Sequence, residues 1–134
     1  MLFNVSYTDP EIKEEINNLI GPPFGFLQRL RMGSIGSQRF LLKEVDESLR
    51  AQLPIDERSI FCNIGLRPAG LQIWFPVRLH TFVLAMPFKG LNLKVEAAMV
   101  MLSNENHRVT LTPAHNASLN LSFINKIEGL LQPK

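Results

Sequence analysis

The sequence predicts an α+β domain: a small, strongly curved antiparallel sheet or partly open barrel, closed by a C-terminal helix and preceded by a helical N-terminal extension. Three observations carry this prediction. Between Ser59 and Val95, apolar and polar residues alternate with a period of two, interrupted by turn residues. Leu121, Ile124, Ile127, Leu130 and Leu131 then recur at helical spacing. A chain of 134 residues with 46% hydrophobic content is normally one domain and buries a core without staples. The expected organisation is a single domain, with the extension over residues 1–48 and the sheet with its closing helix over 49–131.

Thr8-Asp9-Pro10-Glu11 reads as a helix start, with Asp9 or Thr8 as the N-cap and Pro10 at the first helical position. Ile12, Ile16, Leu19 and Ile20 form one apolar stripe, and Gly21-Pro22-Pro23 stops the helix. Phe24 to Met32 has mixed periodicity, compatible with a strand or a short helix. Gly33-Ser34-Ile35-Gly36-Ser37 matches neither phosphate-binding glycine pattern and reads as a flexible linker. Leu41, Leu42, Val45, Leu49 and Leu53 recur at spacings of three and four, the signature of an amphipathic helix ended by Pro54. Asp56-Glu57-Arg58 is the polar entry to the first meander strand.

In that strand Ile60, Cys62, Ile64 and Leu66 alternate with Phe61, Asn63, Gly65 and Arg67. Arg67-Pro68-Ala69-Gly70 supplies a tight turn, and Leu71, Ile73 and Phe75 continue the alternation. A four-residue loop sets Leu66 against Leu71, Ile64 against Ile73 and Cys62 against Phe75, and a one-residue slip would break every apolar pair. The next reversal, Pro76-Val77-Arg78-Leu79, lacks the Gly or Asn of short hairpins; an even loop there places Phe75, Ile73 and Leu71 opposite His80, Phe82 and Leu84. Met86-Pro87-Phe88 ends the strand, Lys89-Gly90 turns, and Leu91, Leu93 and Val95 alternate with polar neighbours. Ala97 to Leu102 is a continuous apolar run that reads as a buried strand, Asn104-Glu105-Asn106 turns, and Val109 and Leu111 mark a last strand ended by Pro113. Asn116 or Ser118 can cap the final helix, and Pro133 closes it.

The net charge of +2 divides into −3 over residues 1–57 and +5 over the remainder, too mild and scattered for a nucleic-acid footprint. No apolar run approaches the roughly 20 residues that span a bilayer, and Met1-Leu2-Phe3-Asn4 does not resemble a signal peptide. The single cysteine, Cys62, excludes an internal disulfide and makes the cytoplasm the default address; on an apolar face it reads as an inert thiol.

The order of elements from Leu49 to Leu131 resembles a bacterial pleckstrin-homology-like (PH-like) domain. The residues that carry the likeness are the helix and acidic step from Leu49 to Glu57, Gly70-Leu71-Gln72-Ile73 opening the second strand, and Met86-Pro87-Phe88 before Leu91 and Leu93. The Arg108 to Thr112 strand and the closing helix Phe123 to Leu131 complete it. The resemblance implies a partly open barrel plugged at one end by its helix, and a binding or scaffolding module rather than a catalyst. Lipid-binding members cluster basic residues around the first hairpin loop, whereas this loop offers only Arg67 beside Pro68, Ala69 and Gly70. Specific lipid binding is therefore not expected, since one guanidinium cannot hold a polyphosphate headgroup against salt.

No catalytic constellation stands out. His80, His107 and His115 show no metal-ligand spacing, the acid pairs Glu14-Glu15 and Asp56-Glu57 sit on polar segments, and no nucleophile elbow exists. No metal or cofactor is expected. His80 on an apolar face reads as a hydrogen-bonded core residue, while His107 and His115 read as exposed. The alternative function is a small-ligand α+β cone enzyme using His80 as acid or base in an apolar pocket. On the outer face of the first hairpin, Trp74 falls opposite Asn63 and Phe61 opposite Pro76. Paired exposed aromatics call for a cover, either the Ile12/Ile16/Leu19 stripe or a second copy of the chain. The candidate ligand or partner surface comprises Phe61, Trp74, Arg67, Arg78 and His80, with a protein partner or homo-oligomer as the expected occupant and no nucleic acid.

Overall fold

The computed structural model describes residues 1–6, 9–33, 35–53, 60–77 and 79–131. Thr8, Ser34, Pro54, Asp56-Glu57-Arg58, Ser59, Arg78 and Pro133, singled out above, lie outside these. In chain order the strands are β1 (Leu2–Asn4), β2 (Phe40–Val45), β3 (Phe61–Arg67), β4 (Gly70–Val77), β5 (His80–Pro87), β6 (Asn92–Glu96), β7 (Met99–Ser103) and β8 (Arg108–Pro113). The helices are α1 (Pro10–Ile20), α2 (Phe26–Met32), α3 (Glu47–Gln52) and α4 (Leu121–Leu131). The fold is α+β: one open antiparallel sheet in the order β1-β5-β4-β3-β2-β8-β7-β6, with a C-terminal helix.

The first hairpin has the expected register, with Ile64 opposite Ile73 and Leu66 opposite Leu71. Cys62 departs from it. β3 leaves β4 beyond Asn63, and Phe61 and Cys62 pair instead with Leu41 and Phe40 of β2. The second hairpin is tighter than expected: Val77 faces His80, so Phe75 meets Phe82, Ile73 meets Leu84 and Leu71 meets Met86. The loop remains even in length, so the apolar face survives, but His80 moves two residues towards the sheet end and is exposed.

The first 48 residues contribute strands as well as helices. β1 pairs with β5, and β2 lies in the middle of the sheet between β3 and β8. The expected helix over 41–53 is thus a strand followed by the short helix α3. A bulge between Leu42 and Glu44 explains the misleading spacing. Lys43 is the extra residue, so Leu42 and Val45 fall three apart, as they would on a helix. Phe24 to Met32 resolves as a short helix, α2, that starts at Phe26 after Gly25, whose N–H donates to Gln28 Oε1 at 3.0 Å. Nor are residues 35–37 a loose linker. The Ser37 N–H donates to Ile64 O and the Leu66 N–H to Ile35 O, both at 2.8 Å, occupying the edge of β3 that β2 leaves open.

Ala97 and Ala98 form the two-residue turn between β6 and β7, both in the left-handed region (φ 49° and 68°), and are not strand. Such turns normally recruit Asn or Gly, which is why an alanine pair reads as part of the apolar run. At α4, Asn120 is the cap: its Oδ1 accepts from the Phe123 N–H at 3.3 Å, in place of Asn116 or Ser118. Phe123, Ile124 and Ile127 join Phe40, Ile64, Ile73, Phe75, Val100 and Leu111 in the main core, while Leu121 at the helix start is 63% exposed. A second, smaller core lies on the opposite side of the sheet. There Ile16 and Ile20 of α1 pack on Phe3, Val83 and Ala85. Gly70 is required for this approach, because a Cβ on it would lie 2.5 Å from Ile20 Cγ2 and 2.6 Å from the Met86 carbonyl oxygen.

Candidate functional surface

Strand alternation places Asn63, Gly65 and Arg67 of β3, with Gln72, Trp74 and Pro76 of β4, on the outer face of the first hairpin. α1 covers only part of this side. It seats Ile16 and Ile20 over Val83 and Ala85, leaving Trp74, directly across from Val83, 50% exposed. Two grooves flank the indole. One, of ≈ 370 Å³, runs between α1 and β4 and is lined by Ile12, Lys13, Ile16, Gln72, Trp74 and Val83 among others. The other, of ≈ 350 Å³, lies towards residues 35–37 and is lined by Arg29, Ser37, Asn63, Gly65, Gln72 and Trp74 among others.

The polar groups here differ in availability. Gln72 lies across Gly65, its Nε2 3.3 Å from where a Cβ would stand, so the glycine makes room for the amide. Asn63 is the cross-strand neighbour of Trp74. Arg67, by contrast, is already spent on structure: its Nη1 donates to Asn17 Oδ1 at 3.0 Å and to the Gly21 carbonyl at 2.8 Å, closing the C-terminal end of α1. Burial pushes its pKa down. Arg67 therefore ties helix to sheet, the orphan carbonyl of the helix end accepting from a guanidinium.

Phe61 and His80 do not converge on Trp74. Phe61 is half-buried, its ring stacked on His115 at 5.5 Å with the Arg39 guanidinium 5.4 Å from its centroid. His115 reaches that stack from a left-handed backbone, φ 58°. His80 lies elsewhere, at the mouth of an open cleft of ≈ 530 Å³ lined by Asn4, Ala51, Gln52, Leu53, Leu79 and Phe82. It is exposed, not a core histidine; its Nδ1 sits 3.3 Å from Ser6 Oγ and 3.5 Å from Asn4 Nδ2. Cys62 is buried as expected, and burial pushes its thiol up to about 12.

Sequence reasoning missed Gln72 and Arg29 as members of the Trp74 surface, because a single amide and a lone arginine carry no pattern. It also took His107 as exposed. The imidazole is instead nearly buried, its Nδ1 3.4 Å from Asp46 Oδ2, while Asp46 Oδ1 accepts from the Arg108 N–H at 2.9 Å and Oδ2 from the Leu49 N–H at 3.3 Å. Burial alone would raise the Asp46 carboxyl; these N–H groups and His107 outweigh it and hold the pKa below 3.8. A depressed carboxylate stabilises the fold fully above its unfolded value, and that contribution disappears as pH falls through the folded value. The stability gap between wild type and Asp46→Ala in urea is therefore expected to be constant above about 3.8 and to close below it. A gap unchanged by acid would show that the carboxylate charge contributes nothing.

Among the described residues no group of three or more His, Cys, Asp or Glu is placed to hold a metal, and no helix is long and apolar enough to cross a membrane. Comparison with protein families, with curated proteins and with solved structures finds no match to this chain.

Proposed function

We propose that the chain is a non-catalytic binding or scaffolding module of PH-like type whose protein partner, or second copy, docks on the outer face of β3 and β4 around Trp74. The observation that carries this reading is the half-exposed indole on a central strand. A large, rigid aromatic held by the sheet offers contact area at little entropic cost, the property that makes Trp a frequent energetic anchor of interfaces. Asn63 and Gln72 beside it have side-chain amides with no hydrogen bond to another described residue, ready to satisfy a partner's backbone. The PH-like part of the reading draws on the curved meander with its C-terminal helix against the inner face, α1 and α2 then being a helical extension that frames the binding face. The cone-enzyme alternative draws less support, because His80 sits exposed on an open cleft.

The test replaces Trp74 with the photo-crosslinking residue p-benzoylphenylalanine in the producing cell, with Glu105, in the exposed turn between β7 and β8, as the control site. Discrete adducts formed from position 74 and absent from position 105 are the expected result. Twice the chain mass would identify a second copy, any other defined mass a protein partner. No adduct, or the same adducts from both sites, would sink the reading.

A further inference from the structure

Helix α2 is the anomaly of the surface. None of its seven residues is buried, and Phe26, Leu27 and Leu30 are 75%, 70% and 66% exposed. Spacings of three and four put Leu30 beside both Leu27 and Phe26, so the three form one continuous apolar strip. The other side of the helix faces the protein: Met32 packs against the main core, and Arg29 Nε donates to the Phe24 carbonyl at 3.2 Å. Scattered exposed leucines need no explanation, but three large apolar side chains massed on two turns do.

Along the sequence the charge on and beside this strip is one-sided. No carboxylate occurs between residues 16 and 43, whereas α2 itself carries Arg29 and Arg31. A second copy docking α2 on α2 would bring these cations together. The strip is also small for a stable protein interface: two helical turns offer a few hundred Å², against roughly 800 Å² per partner in a standard complex. A lipid surface needs neither shape complementarity nor a large footprint, only apolar side chains to bury and basic ones to pair with anionic headgroups.

We propose that α2 is a peripheral membrane-contact element for anionic bilayers, with Phe26, Leu27 and Leu30 entering the headgroup–acyl boundary and Arg31 at the level of the phosphates. The contact is electrostatic and interfacial, does not select a headgroup, and is separate from the Trp74 surface. The test is co-sedimentation of the full chain with phosphatidylcholine vesicles, with and without about one third phosphatidylserine. The wild type is expected to pellet with the anionic vesicles, weakly or not at all with the neutral ones, and to be released by salt. The double variant Phe26→Ser/Leu27→Ser should bind about tenfold less, because burial of these side chains supplies the apolar part of the affinity. Arg31→Gln should bind about fivefold less. All the replaced side chains are exposed, so circular dichroism should be unchanged, and Trp74→Ala should pellet like wild type, which separates this inference from the protein-docking reading. Failure to pellet with anionic vesicles, equal binding to both compositions, or undiminished binding of the double variant would overturn it. So would a vesicle-free dimer that the double variant abolishes, since a second copy would then be the occupant.

Discussion

Phe40→Ala is expected to lower the urea midpoint by the equivalent of about 3–5 kcal/mol, among the largest effects of any single truncation in this chain. Phe40 is 1% exposed and opens β2, facing Cys62 on one neighbouring strand and Pro113 on the other. Removing the ring leaves a cavity between strands fixed from both sides, so the surroundings can relax little and the cost lies at the upper end of the range. Glu44→Ala, on the same strand but exposed, is the control and should shift stability by less than about 0.5 kcal/mol. The denaturant slope should not change, because the folded topology is retained. A Phe40→Ala midpoint within about 1 kcal/mol of wild type would mean that residues 40–45 are not a central strand.

Truncation at the closing helix carries the next largest effect. Ile127 is fully buried and Ile124 is 4% exposed, both within the main core, so Ile127→Ala or Ile124→Ala should cost about 2–5 kcal/mol. Leu121 provides an internal control on the same helix. Its spacing sets it in the apolar stripe, yet it is 63% exposed, and Leu121→Ala should change stability by no more than about 0.5 kcal/mol. Thermal or urea unfolding decides the matter. Unchanged melting temperatures for both isoleucine variants would remove α4 from the core.

The errors of sequence reading have a common origin. At β2, one bulge residue converts alternation into a spacing of three, and the Leu49/Leu53 stripe of α3 continues it, so a strand and a helix merge into one apparent helix. At Ala97-Ala98 the hairpin turn is made by residues with no turn preference, held in a left-handed conformation that costs roughly 1–2 kcal/mol each and that the strand pairing on both sides imposes. Local propensity lost to tertiary pairing in both places.

Within the candidate surface the sequence placed Trp74 and its partner Asn63 correctly, because outward positions follow from a register that inward apolar pairs enforce. Alternation along the meander and the stripes of α1 and α4 were legible for the same reason: a buried face must be apolar, and its period is set by the residue's own backbone. Which edge a strand presents to which neighbour is decided by distant parts of the chain, as when residues 35–37 bond to Ile64 and Leu66. The fate of polar side chains is decided in the same way. Arg67 looked like a loop cation and closes the end of α1; His107 looked exposed and faces Asp46, 61 residues away; His80 looked buried and stands at an open cleft. Apolar burial is non-directional and leaves a periodic trace in the sequence, whereas a hydrogen bond between residues far apart needs only one donor and one acceptor and leaves none.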